Sequence, residues 1–194
     1  MNYLLHLYLA GDSPQRQLGS MMGDFVKGPV PSTYPIGIQA GLKLHRRVDT
    51  LAQVSPHCRN SRQRIDPCFG HVRGVMVDIF YDHFLARDWQ DYHTEPLETY
   101  AARFYRVLQE QKGWLPPALA RIAPGMIERN WLVAYRQKAA VERALKHLAG
   151  RLSRPTPLGQ GLAELYRHEA GLHEDFVGFM EEAIEKCSGL DDAG

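Results

Sequence analysis

Apolar residues along this chain recur three and four positions apart rather than in alternation. The segments EPLETYAARFYRVLQEQ and LAELYRHEAGLHEDFVGFMEEAIEKC show this most clearly, and the spacing is that of helices with one buried stripe. No two segments have the period-two pattern of paired strands. Glycine and proline clusters interrupt the periodicity at Gly11 to Pro14, Gly28 to Pro35, Asp66 to Gly70, Gly113 to Pro117, Pro124 to Gly125 and Ser153 to Pro157. Each is read as a break between helices. The pattern predicts an all-α fold, about seven to nine helices in one bundle. No break is long or simple enough in composition to be a linker, and no internal repeat is present. The expected organisation is one domain over residues 1–190 with a frayed tail at 191–194.

Two of the predicted helices carry ionisable residues on their apolar faces. In the stretch from Ile36 to Val54, residues Ile38, Leu42, Leu44, Val48, Leu51 and Ala52 fill one arc, and His45 and Asp49 fall inside it, one turn apart. Lys43, Arg46 and Arg47 point the other way. In the stretch from Phe69 to Asp88, Val72, Val75, Met76, Ile79, Phe80 and Phe84 form the apolar face; His83 sits near its middle and Asp78 and Asp82 on its border. His6 in the first apolar segment and Asp24 in GDFVKG complete a set of seven. A buried carboxylate is costly unless it is paired or binds a cation. Imidazole and carboxylate donors together, with no thiol beside them, suit Mn, Mg, Fe or Zn. The set is too large for a single ion, so some of its members are expected to orient ligands or act as acid or base.

Charge changes the picture in one respect. The net charge is only +1, yet from Lys43 to Arg73 seven Lys or Arg stand against two Asp, and from Glu164 to Asp192 nine acids stand against two bases. A basic middle suits an anionic partner. The 44% hydrophobic content over 194 residues is that of an ordinary globular domain. Three cysteines, Cys58, Cys68 and Cys187, form no CxxC pair, and reduced thiols in the cytoplasm are expected. The opening MNYLLHLYLA has no basic region and is too short to span a membrane, so a buried first helix is predicted. Phosphate-cradling glycine loops and a GxSxG elbow are absent, which counts against kinases and serine hydrolases.

Five blocks, MNYLLHLYLA, GDFVKG, GLKLHRRVDTL, VDIFYDHFLARDW and NWLVAYR, in this order and at this spacing, resemble the acyl carrier protein phosphodiesterases. Members often read HLHLA near the start; this chain has Tyr8 at the second histidine position, so no ligand role is carried to it. The resemblance implies a variant of the all-helical HD-domain phosphohydrolase fold. The chain has HRRVD and DH instead of an adjacent HD pair in the usual place, so ligands are assigned from helix faces. It also implies hydrolysis of holo acyl carrier protein to the apo protein and 4'-phosphopantetheine, with no membrane or nucleic-acid partner. The assignment gives the metal, Mn with Mg, Fe or Zn as alternatives, to His45, Asp82 and His83 together with His6 or Asp24. Asp49 and Asp78 are ligands or bases, and Asp24, Asp49 and Asp78 form the catalytic set. Arg46 and Arg47 hold the phosphate or the acidic carrier, and Trp131 is read as core packing. The alternatives are a metal phosphohydrolase for a nucleotide or small phosphodiester, and a non-enzymatic helical module that binds an acidic partner.

Overall fold

The computed structural model describes residues 3–187, and the expected tail at 191–194 lies outside them. Its α-helices in chain order are α1 (Tyr3–Leu9), α2 (Pro14–Met22), α3 (Ile36–Val54), α4 (Pro56–Arg64), α5 (Arg73–Arg87), α6 (Trp89–Tyr92), α7 (Leu97–Glu110), α8 (Pro117–Glu128), α9 (Trp131–Ala134), α10 (Lys138–Ala149) and α11 (Leu162–Cys187). No strand occurs among the described residues. The all-α expectation holds, and the 36–54 helix has the predicted bounds. The helix count rises to eleven because α6 and α9 are single turns of four residues.

Two breaks behave differently from expectation. Pro124 lies inside α8, whose buried Leu119, Ala123 and Met126 keep one stripe against the core on both sides of the proline. The helix predicted from Phe69 begins only at Arg73, because Pro67–Val72 is a 3-10 segment with Gly70 at φ 52°, a backbone region that favours glycine. No helix of the described residues is long and apolar enough to cross a membrane.

The core is a single cluster that draws on nearly every helix. At its centre α5 is buried almost all round: Met76, Val77 and every residue from Ile79 to Ala86 are enclosed. The closest pair is α2 and α3, which meet backbone to backbone. A Cβ on Gly19 would lie 2.1 Å from the Ile38 carbonyl oxygen, and one on Gly41 would lie 2.1 Å from that of Arg16. Any larger residue at either crossing point would force the helices apart.

Candidate metal centre

His6 is set by what holds α1. The Asp82 carboxylate of α5 accepts the backbone N–H of Leu4 at 3.1 Å and of Leu5 at 2.9 Å, satisfying two donors at the helix start that have no partner within the helix. Ser20 of α2 donates its hydroxyl to the His6 carbonyl at 3.0 Å. His45 is set by α3 and by a space left for it: a Cβ on Gly23 would lie 2.1 Å from Cγ of the His45 ring. Gly23 opens the 3-10 turn Gly23–Phe25, so the same short motif seats the ring and delivers Asp24 beside it.

The two imidazoles stack at 3.9 Å between centroids, 18° from parallel. Both aim Nε2 at Asp49, one at each carboxylate oxygen, at 3.3 Å. Asp24 Oδ1 is 3.8 Å from His45 Nε2. The histidine side chains are only 4% and 5% exposed, whereas Asp49 and Asp24 are 51% and 31% exposed. The group is therefore closed on the imidazole side and open to solvent on the carboxylate side.

Burial lowers the His6 pKa, and the nearby His45 pushes the same way, against the opposing pull of the Asp49 carboxylate. A neutral His6 imidazole follows. Burial works to raise the Asp49 pKa, but hydrogen bonds from His45 and His6 outweigh it and hold this carboxyl below the ordinary carboxylate range. Two imidazole Nε2 atoms and an ionised carboxylate are thus gathered on one spot. Ligand atoms of His6, His45 and Asp49 all lie within 4.8 Å of one another, the one such group of three or more among the described residues. Nδ1 of both histidines is buried without a partner, so Nε2 is the nitrogen turned toward other polar groups. This donor set would suit a divalent Mn, Fe or Zn ion, and its carboxylate side is open to solvent.

The structure brings together four of the seven inward residues and separates three. Asp82 is fully enclosed and committed to the α1 backbone. Burial pushes its pKa up to about 7 in spite of the two N–H donors. His83 points Nδ1 at the Tyr135 carbonyl, 2.7 Å away, beyond the end of α9. Asp78, one turn before Asp82 on α5, adds to the rise in the Asp82 pKa. Neither His83 nor Asp82 is in the three-donor group. Arg46 reaches back to the Val26 carbonyl at 3.2 Å and pins the chain just after Asp24; Arg47 is exposed. Trp131 packs against the core, as expected.

Sequence reading missed the role of Gly23, whose signal was its place directly before Asp24, and that of Tyr135, whose contribution is a backbone carbonyl that no side-chain pattern reveals. It also listed Asp49 as a ligand or base, while in the structure Asp49 is the residue on which both imidazoles converge.

Comparison with known proteins follows the same line. The sequence model of the family described as acyl carrier protein phosphodiesterase matches residues 1–183. The chain is 28% identical over 192 residues to the acyl carrier protein phosphodiesterase of Photorhabdus laumondii, covering 98% of this chain and 97% of that one. It is 28% identical over 189 residues to the protein of that name from Escherichia coli O157:H7, covering 97% and 98%, and 29% identical over 184 residues to that from an Enterobacter species, covering 92% and 93%. No solved structure matches it. With a family match over residues 1–183 of 194, the chain belongs to the acyl carrier protein phosphodiesterase family.

Proposed function

We propose that this protein hydrolyses the phosphodiester that joins 4'-phosphopantetheine to a serine of holo acyl carrier protein, and that it does so with a divalent cation held by His6, His45 and Asp49. The observation that supports the reading best is the convergence of two buried imidazoles on one half-exposed carboxylate. A cation bound there supplies a nucleophile at neutral pH and offsets charge on the phosphoryl oxygens. Mn is the first choice, with Fe or Zn next on donor type and Mg after them.

The chain's own residues then divide the work. His6 and His45 present their Nε2 atoms from a dry wall, with His6 neutral. Asp49 and Asp24 line the wet side, where a carboxylate can take a proton from an attacking water. Arg46 keeps the Asp24 turn closed, and Arg47 faces the solvent from which a carrier arrives. In this reading Asp82 orders the start of α1, so that it acts on His6 from behind, and Asp78 and His83 belong with it. The origin of His and Asp donors on separate helices agrees with kinship to HD-domain phosphohydrolases, and the three free cysteines agree with a cytoplasmic setting.

The test is incubation of the purified protein with holo carrier protein and Mn, followed by intact mass of the carrier. The expected result is loss of the 4'-phosphopantetheine mass, abolished by a chelator and restored by Mn. An unchanged carrier with Mn, Fe, Zn and Mg alike would overturn the reaction. Full turnover in a sample verified to be free of metal would overturn the cation.

A further inference from the structure

Two sets of arginines in this molecule contrast. Arg64, Arg87, Arg103, Arg136 and Arg167 each pair with a carboxylate. Arg59, Arg62 and Arg73 pair with none among the described residues, yet they share a cavity of about 340 Å³ with Gln63, Gly70, His71 and Gly74. No acid lines it.

The cavity is shaped by backbone contacts. Arg62 donates to the carbonyls of Ala52 and Gln53 at the end of α3, at 3.3 and 3.5 Å. Arg73 donates to the carbonyls of Gly70 and Arg62, at 3.0 and 3.3 Å. Two guanidinium groups are therefore fixed by neutral acceptors that leave their charge uncompensated. Gly70 and Gly74 meet nothing where a Cβ would be, so the floor is open. The opposite side of α4 is different: there Arg64 meets Asp175 at 2.8 Å and Ser55 meets Glu182 at 2.7 Å, both acids on α11. Charge is balanced where α4 faces the protein and unbalanced where it faces solvent.

Position gives the cavity its meaning. Ala52 and Gln53, which anchor Arg62, follow Asp49 on α3 by three and four residues, a rise of about 5–6 Å. The bond to be cut joins a phosphate to a serine on a folded protein. A productive complex must therefore press the surface around that serine against whatever flanks Asp49.

We propose that the cavity formed by Arg59, Arg62 and Arg73 is the docking site for the acidic surface beside the substrate serine of the carrier protein. The proposal rests on the reaction proposed above. Guanidinium groups held in place lose little freedom on meeting carboxylates, and opposite fields speed encounter in a manner that salt weakens.

The experiment compares Arg59→Glu/Arg73→Glu with the wild type on two substrates, holo carrier protein and bis(p-nitrophenyl) phosphate. The apparent KM for carrier should rise at least tenfold at low ionic strength, with the gap closing as salt is added, while turnover of the small diester stays within about twofold. Arg143→Glu, an exposed change on α10, alters charge in the same direction and should leave the carrier KM unmoved. Arg73 also holds backbone, so Arg59→Glu alone, with a wild-type melting temperature, should keep a KM increase of several fold. An unchanged carrier KM in the double variant, an equal rise in Arg143→Glu, or parallel loss on the small diester would each overturn the proposal. If the wild type leaves holo carrier intact, the reading of the reaction fails by itself. The cavity is then judged by calorimetric binding of apo carrier at low salt, where binding by the double variant equal to that of the wild type would overturn it and weaker binding would support it.

Discussion

Two groups of histidine and aspartate lie inward in this protein, and their fates differ. In the first, His6 and His45 turn Nε2 to one carboxylate, that of Asp49, which is 51% exposed. Asp82 and His83 turn to backbone: Asp82 accepts the N–H groups of Leu4 and Leu5, and His83 Nδ1 donates to the Tyr135 carbonyl while its Nε2 is buried without a partner. The residue types are alike, but His45 and Asp49 stand one turn apart on α3 whereas Asp82 and His83 are neighbours on α5. What separates the two groups is the carboxylate: Asp49 is half open to water and faces two imidazoles, whereas Asp82 is enclosed and already committed to main-chain donors.

The largest effect that separates the two groups should come from Asp49→Asn. It removes the ionised carboxylate both imidazoles face, and turnover of holo carrier should fall about a thousandfold or more, the scale of losing several kcal/mol of cation-dependent stabilisation. Circular dichroism should show the helical content intact. Activity near wild type would place the chemistry elsewhere.

Asp82 should behave in the opposite way. Asp82→Ala leaves two enclosed N–H groups without an acceptor and should cost about 1–3 kcal/mol in denaturant unfolding. Its pH behaviour sharpens the contrast. The folded pKa, about 7, lies above that of an unfolded aspartate, so the folded state holds the proton more tightly. Its contribution is present at low pH and is lost as pH rises from about 4 through 7. Stability of the wild type should decline across that window, and Asp82→Asn should flatten the decline. An undiminished slope in the variant would assign it to other groups.

The smallest effect is expected from His83→Gln. Burial lowers the His83 pKa, so a neutral ring donates one hydrogen bond, and loss of that bond should cost about 0.5–1.5 kcal/mol. Turnover of carrier at saturating Mn should stay within about threefold. A hundredfold fall with unchanged stability would move His83 from the clasp to the site.

The sequence disclosed the helices well because their stripes are strongly periodic, as in Ile36–Val54 and Leu162–Cys187. It also disclosed that His45 and Asp49 meet, since one helix fixes residues four apart on a common face, although only His45 is buried and Asp49, read as inward, is 51% exposed. It did not disclose where α5 sends Asp82 and His83. A helical face gives direction only relative to its own axis, and α5 is enclosed on all sides, so an inward residue there has several neighbours to meet. Pro124 misled for a related reason: a local breaker signal was overridden by burial of Ala123 and Met126 on either side of it.

The bonds from Leu4 and Leu5 to Asp82 also set a timetable for the growing chain. They join residues 78 and 77 positions apart. On a ribosome adding about 5–20 residues per second, α1 waits roughly 4–16 s for its cap. During that wait Leu4, Leu5, Leu7 and Leu9, all buried in the finished protein, have no cover from α5. A nascent chain halted before α5 emerges cannot hold His6 in place, and its leucine-rich start is a target for chaperones or for aggregation. The pairing of His6 with His45 and Asp49 should thus arrive late in synthesis, after α5.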